Sequence, residues 1–253
     1  MLRKQMKKFL PKFLLKSIKN FLIFLNLQKY KKMTNQKIFK EIYSKKLWSP
    51  DNLKNKFEFF SGPGSHFEEY KSEYINKVKD FLLNFPEKPN VVDLGCGDFI
   101  IGSQLRKYCK KYIAVDVFDE IIINNKIKYS NLEVDFRVLD ITRDELPNGD
   151  ICFLRQVLQH LSNDNIKKFL SLMSGKYKYL ILTEHIPEKN YFEPNIDIIT
   201  GPNIRIHKNS GVDLTARPFN LETVNVKNIC SIGSKKILGF EGVLNTQILQ
   251  LYK

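Results

Sequence analysis

The run Asn90-Val-Val-Asp-Leu-Gly-Cys-Gly-Asp98 constrains this chain more than any other stretch. Val91, Val92 and Leu94 form a short apolar strand, and Gly95 and Gly97 let the backbone turn and approach a ligand with no Cβ in the way. Phe99 to Tyr108 then continues with helical spacing. A strand that runs through a glycine turn into a helix is the ligand-binding corner of an open α/β sheet. The spacing is Asp-x-Gly-x-Gly, not the Gly-x-Gly-x-x-Gly of pyrophosphate binders. Asp93 and Asp98 bracket the turn, so a bare phosphate at the helix N-terminus would meet negative charge.

Further strands follow in order. Lys111-Tyr-Ile-Ala-Val-Asp116 reads as a second strand ending in an acid, where a carboxylate can accept both hydroxyls of a ribose. Val134 to Asp140 reads as a third strand, Asp150 to Val157 as a fourth and Tyr179 to Thr183 as a fifth, with an amphipathic helix from Asn163 to Met173 between the last two. Phe219 to Ile229 holds a sixth strand, and Thr246 to Tyr252 alternates as a terminal antiparallel one. The pattern predicts an α/β fold, a Rossmann-like open seven-stranded and mostly parallel sheet with helices on both faces.

The turn resembles motif I of the class I S-adenosylmethionine (SAM) methyltransferases, and the strand-end acids downstream continue the likeness. The resemblance implies the strand order 3-2-1-4-5-7-6 and SAM as cofactor. It implies contacts from Asp93, Gly95, Cys96 and Gly97 at the turn, from Asp116 and its neighbour Val117 at the ribose, and from Asp140 or Ile141 at the adenine. Arg155 joins this set, and Gly62, Gly64 and Ser65 belong to an upstream segment, Phe60-Ser-Gly-Pro-Gly-Ser65, that closes over the cofactor. That segment, Leu154 to Ser162, and Asn195 to Gly201 with Arg205, Asp213-Leu214 and Pro218-Phe219 together resemble a bacterial subfamily of small-molecule methyltransferases. Some of its members lie in gene clusters for capsule or other surface polysaccharides. The similarity covers residues 45 to 253, with two departures. Arg155-Gln156 stands where the subfamily has Arg-Asp, and Ile100 and Ile101 stand where many members have an aromatic residue.

A hydroxyl acceptor must lose a proton, and histidine is the natural base near neutral pH. His160 falls just beyond the fourth strand, at the sheet edge where such folds bind ligands, and His185 in Thr183-Glu-His185 is the rival. Glu184 either orients His185 or binds substrate. Arg155 and Arg205 are candidates to grip a phosphate or carboxylate on the acceptor. The plainer readings are a histidine bonded to backbone and arginines in structural ion pairs. Tyr43, Trp48, His66 and Tyr70 are candidates for a lid, and His207 has no neighbour in sequence that suggests a role. No metal signature is present, and metal independence is expected. Cys96, Cys109, Cys152 and Cys230 lack ligand spacing and read as buried reduced thiols of a cytoplasmic protein.

Charge is concentrated at one end. Of a formal net charge of +14, residues 1 to 33 carry ten basic residues and no acid. On a helical wheel Lys8, Lys12, Lys16 and Lys19 fall on one side, with Leu10, Leu14, Ile18, Phe21, Leu22 and Leu25 on the other. The run Phe21 to Leu25 is far short of the ~20 apolar residues that span a bilayer. A basic amphipathic segment (1–33) lying on an anionic membrane surface is therefore expected ahead of a catalytic domain (34–253), with peripheral attachment at the inner face of the cytoplasmic membrane. A secretory signal would need a small-residue cleavage site, which is lacking. Initiation at Met33 would make the first 32 residues an extension. Nucleic acid is a less fitting partner, because no RNA-binding module accompanies the basic segment.

The expected activity is O-methylation of a sugar or other small or glycan-linked acceptor in surface-polysaccharide synthesis. Methylation of RNA, or of a phosphate-like or carboxylate group, and a catalytically silent SAM-binding scaffold are the alternatives.

Overall fold

The computed structural model describes residues 27–188, 191–233 and 242–252. Seven strands form one sheet: β1 (Val91–Leu94), β2 (Tyr112–Asp116), β3 (Asp135–Val138), β4 (Ile151–Arg155), β5 (Tyr179–Pro187), β6 (Thr223–Gly233) and β7 (Gly242–Leu251). Their order is β3-β2-β1-β4-β5-β7-β6. The first five strands pair in parallel, and β7 runs antiparallel to both β5 and β6. This is the predicted topology.

Alternation along the strands sends side chains into two cores. Val92, Leu94, Cys152, Leu154, Leu180 and Leu182 pack on one face against Ile166, Phe169 and Met173 of a helix at Asn163–Met173. That three-residue stripe is the helix's buried side, each member contributing roughly 1.5–3 kcal/mol by burial. Val91, Ala114, Ile151, Phe153 and Ile181 face the other core. There they meet Tyr74, Val78 and Leu82 of a helix at Glu68–Leu83, Leu105 of one at Ile100–Leu105, and Ile121 and Ile122 of one at Asp119–Lys128. In chain order the helices are α1 (Asn35–Ser44), α2 (Pro63–His66), α3 (Glu68–Leu83), α4 (Ile100–Leu105), α5 (Asp119–Lys128) and α6 (Asn163–Met173).

Three strand boundaries differ from expectation. β5 continues past Thr183 to Pro187, because β7 pairs along its whole length, with Glu184 opposite Asn245 and His185 opposite Leu244. The polar Thr-Glu-His sequence masks this strand from a hydrophobicity reading. His185 therefore lies within a strand, not after one. β7 begins at Gly242, earlier than read, and β6 is shifted toward Gly233.

Packing reaches back before residue 33. Tyr30, in a 3-10 turn at Lys29–Lys32, is buried with Ile38 and Ile42 of α1. The expected amphipathic helix at residues 1–26 lies outside the described residues. Among those described, no helix is long and apolar enough to cross a membrane.

Candidate functional site

The C-terminal ends of β1, β2 and β4 open into a cavity roofed by α1 and the loop before α2. Its floor is the glycine turn. Gly95 and Gly97 hold φ of 79° and 53°. A Cβ on Gly95 would sit 2.5 Å from Val157 Cγ2, and one on Gly97 2.2 Å from Ser61 Oγ. Both glycines are thus required by backbone conformation and by the close approach of two other segments. Asp116 ties the turn to the end of β2 by accepting the N–H of Gly97 (3.0 Å) and of Phe118 (3.1 Å), and burial raises its carboxyl to about 6. Asp93 accepts the Tyr112 hydroxyl at 2.9 Å, and burial pushes it up to about 7.

The Ser61–Ser65 loop is fastened over this floor. Ser61 Oγ accepts the Asp98 N–H at 2.8 Å, while Asp98 Oδ2 lies 2.5 Å from His66 Nε2. Phe57 and Phe60 enclose the His66 ring. A Cβ on Gly64 would fall 2.0 Å from Gln156 Oε1, the end of a side chain that Arg155 holds in place. Arg155, at the end of β4, donates to Gly64 O (2.7 Å), Ser65 Oγ (3.3 Å) and Gln156 Oε1 (2.9 Å), with its guanidinium 4.8 Å from the Tyr74 ring centroid. Its Nε is buried and has no partner among the described residues.

Asp93 and Arg155 both line the cavity, yet among the described residues no ion pair joins them. A buried acid and a half-buried base on one wall, not bonded to each other, suit a zwitterion, with its ammonium toward the carboxylate and its carboxylate toward the guanidinium. The methionine part of SAM is such a group. Asp116 and Val117 line the next stretch of wall, and Asp140, Ile141 and Thr142 line the far end. Asp140 Oδ1 there accepts from Thr142 N (2.9 Å), Thr142 Oγ1 (2.8 Å) and Asn35 Nδ2 (3.1 Å), so α1 is bonded to this wall. The cavity therefore fits SAM in charge and in its glycine floor. All the sequence-derived cofactor candidates, namely Asp93, Gly95, Cys96, Gly97, Asp116, Val117, Asp140, Ile141, Arg155, Gly62, Gly64 and Ser65, line this one cavity.

The opposite end is lined by Trp48, Gln159, His160, His185, Pro202, Ile204 and His207. His160 lies against Trp48, ring centroids 4.6 Å apart. Its Nδ1 faces Gly201 O at 3.2 Å and so carries the proton, leaving Nε2 toward the Gln159 amide at 3.3 Å. Gln159 Oε1 accepts the His185 N–H at 3.2 Å, which turns the NH₂ of that amide toward His160. Burial lowers His160 and His185 to about 4 each, so both imidazoles are neutral at pH 7. Burial also lowers His207, at the exposed rim.

Glu184 and Arg205 correct the sequence reading, because neither lines the cavity. Glu184 is buried and accepts the N–H of Leu158 (3.0 Å) and Gln159 (2.9 Å). Arg205, 0% exposed, donates to Leu158 O (2.9 Å), Leu161 O (2.7 Å) and Asn163 Oδ1 (2.8 Å). An acid at the amides and a cation at the carbonyls thus hold the 3-10 turn Leu158–His160 from both ends, complementing its dipole. The Asn195–Gly201 segment has a similar task. Asp197 accepts the Asn163 N–H at 2.7 Å, Thr200 accepts the Ser162 N–H at 2.9 Å, and Gly201 donates to His160 O at 3.0 Å.

Asn35, Tyr74, Tyr112, Gln159 and His207 line the cavity without having been singled out as site residues. Only chain folding brings them there, and their local sequence carries no signal of it. Tyr43 and Trp48 line it as lid candidates should, whereas His66 and Tyr70 do not. The thiols of Cys109, Cys152 and Cys230 are buried and unpaired with one another, and that of Cys96 lies at the cavity wall. Among the described residues no cluster of three or more histidine, cysteine or acidic side chains could hold a metal ion.

A family profile described as a methyltransferase domain matches residues 92–175. No curated protein sequence matches the chain. Among solved structures it is similar to the N-methyltransferase NodS from Bradyrhizobium japonicum WM9 in complex with S-adenosyl-L-homocysteine, at 14% identity over 72% of this chain and 88% of that one, TM-score 0.53. It is also similar to the N-terminal domain of EvdMO1 in the presence of S-adenosylhomocysteine (SAH) and D-fucose, at 12% identity over 72% and 84% of the two chains, TM-score 0.51. A third similar structure is the DhpI–SAH complex, at 14% identity over 75% and 90%, TM-score 0.50. At such identities the likeness establishes the fold, which is that of the class I SAM-dependent methyltransferases. The family match spans the glycine turn and β4 within that fold.

Proposed function

We propose that this protein methylates a hydroxyl of a sugar or sugar-linked acceptor in the synthesis of a surface polysaccharide. The observation that carries the acceptor class is the uneven charge of the cavity. Its described carboxylates, Asp93, Asp98, Asp116 and Asp140, all lie on the cofactor side, while the end formed by Trp48, His160, His185 and His207 has none. An ammonium acceptor would be desolvated there without a counter-charge. A hydroxyl meets neutral imidazoles able to take its proton, and the Trp48 indole offers a broad rigid surface for a sugar ring. The EvdMO1 domain, of the same fold, was crystallised in the presence of a sugar, D-fucose, which is a precedent and no more.

In this reading Asp93 and Arg155 hold the ammonium and carboxylate of the cofactor, Asp116 and Val117 its ribose, and Asp140 and Ile141 its adenine. The backbone of Gly95, Cys96 and Gly97 lies beneath, and Gly62, Gly64 and Ser65 close above. SAM, when bound, supplies a methyl group on a good leaving group, so alignment of the acceptor accounts for much of the remaining catalysis. His160, with both ring nitrogens engaged inside the protein, shapes the acceptor slot. The proton passes to an imidazole of this end, His160, His185 or His207. The basic 1–33 stretch holds the protein against the anionic inner face of the membrane, near a glycan under assembly.

The test is transfer of labelled methyl from SAM into host extract separated into glycan or nucleotide-sugar, lipid, protein and RNA fractions, with Asp93→Ala as control. Label in the glycan fraction that disappears with the control is the expected result. Label in RNA, or in amines of any fraction, refutes the acceptor class. Substitution of His160, His185 and His207 by Gln, one at a time, separates the roles. Loss of turnover with unchanged acceptor KM marks the base, and a raised KM marks a residue that shapes the slot.

A further inference from the structure

Beside the cavity lies a second, shallower groove of about 740 Å³, between the Lys29–Lys32 turn, the start of α6 and residues 197–200. It shares only a wall with the cavity, at Asn35, Asp140 and Thr142. Four cations converge on it from separate parts of the chain: Lys31, Arg143, Lys168 and Lys208. Three acids also line it, Asp140, Asp164 and Asp197. Two of these are already engaged. Asp197 Oδ1 accepts the N–H of Asn163 (2.7 Å) and Ile198 (2.8 Å), and Asp140 Oδ1 accepts from Thr142 and Asn35.

Four cations face three acids in the groove, and three of the four have no carboxylate partner among the described residues. Lys31 and Lys168 form no ion pair among the described residues, and Lys208 Nζ donates only to the backbone carbonyl of Asp197, at 2.7 Å. Among the described residues Arg143 pairs with its neighbour Asp144. The groove also opens beside the point where the basic segment 1–26 joins the domain. Like charge disfavours that segment as the occupant.

We propose that this groove is a binding site for a phosphate-bearing ligand, seated between Lys31, Lys168 and Lys208 and apart from the methyl-transfer cavity. The shared chemistry is that of a phospholipid head group and of a soluble phosphorylated compound. It does not depend on the acceptor being a sugar.

The test uses the full chain and the double variant Lys168→Gln/Lys208→Gln, both positions being exposed and outside the cofactor cavity. The readouts are titration with inorganic pyrophosphate and flotation with vesicles of phosphatidylcholine, with and without phosphatidylglycerol. Each lysine near an anionic surface contributes on the order of fivefold in affinity, so the double variant loses roughly 25-fold, with SAM binding unchanged. Loss of pyrophosphate affinity with unaltered flotation assigns the groove to a soluble phosphate compound. Loss of flotation on phosphatidylglycerol vesicles, with pyrophosphate binding to neither protein, assigns it to a lipid head group, and loss of both shows a site that takes either. If neither readout responds to the double substitution, the groove is not an anion site and the proposal fails.

Discussion

Arg205→Met keeps most of the side chain's volume and removes only its charge and donors, so it isolates what the buried clamp on the Leu158–His160 turn contributes. Three hydrogen bonds from a fully buried guanidinium are lost, to Leu158 O, Leu161 O and Asn163 Oδ1. Such charge-assisted bonds are each worth about 1.5–3 kcal/mol, but they share one side chain and do not add. The substitution also removes the cation that works against burial at Glu184, whose carboxyl is already raised to about 8, so that group titrates still higher in the variant. A loss of about 4 kcal/mol is therefore expected, a large part of the stability of an ordinary domain. In a chain of this size it corresponds to a fall in Tm of roughly 8–16 °C. Urea denaturation gives the free energy, and turnover of the surviving folded fraction gives the effect on the site. Because His160 and Val157 belong to the clamped segment, activity should fall even below the transition. Arg205→Lys should recover only part of both, since an ammonium cannot reproduce the planar fork. A variant within about 1 kcal/mol of the native protein, with native turnover, would show that the turn stands without the clamp.

The cofactor floor offers a sharper steric test. Gly97→Ala places a methyl group 2.2 Å from Ser61 Oγ at a φ of 53°, and SAM affinity measured by calorimetry should fall at least tenfold. Affinity should also depend on pH. Asp93 is raised to about 7 and must be ionised to face an ammonium, so SAM binding strengthens roughly tenfold from pH 6 to 8 and releases a proton near neutrality. Asp93→Asn should flatten that profile, and a pH-independent native affinity would remove Asp93 from the ammonium site. His160 gives a linkage of its own. Its folded pKa of about 4 lies below the unfolded value near 6.5, so the unfolded chain takes up its proton first. The resulting stability is complete above pH 6.5 and is lost as pH falls toward 4, by up to about 3 kcal/mol. Denaturation across this range should show the stability gap between native protein and His160→Gln narrowing by that amount.

The sheet was readable because its inner parallel strands β1, β2 and β4 are buried on both faces and appear as apolar runs, β1 closed by a glycine and β2 by an acid. The helix at Asn163–Met173 was readable from its regular apolar stripe, and the structure adds Ser162 as its cap. β5 beyond Thr183 was not, since its polar half owes its strand conformation to β7 and not to its own residues. The same division runs through the site. Asp93, Gly95, Gly97 and Asp116 lie within or beside the strand that carries them, so the local motif and the resemblance it carries place them together at the cavity. Gln159, His207 and Asn35 reach the cavity from three unrelated segments, and nothing local marks them. Glu184 and Arg205 show the reverse error. A charged residue near a strand end reads as a ligand contact, yet burial here requires each charge to find its partners within the protein, and the backbone of one turn provides them. The subfamily pattern at Leu154–Ser162, Asn195–Gly201 and Arg205 is thus in large part a pattern of support for that turn. On the proposed reading, relatives sharing it should keep the turn's geometry while differing at Trp48, Pro202 and Ile204, which line the His160 end of the cavity, and acceptor identity should follow those positions rather than the pattern.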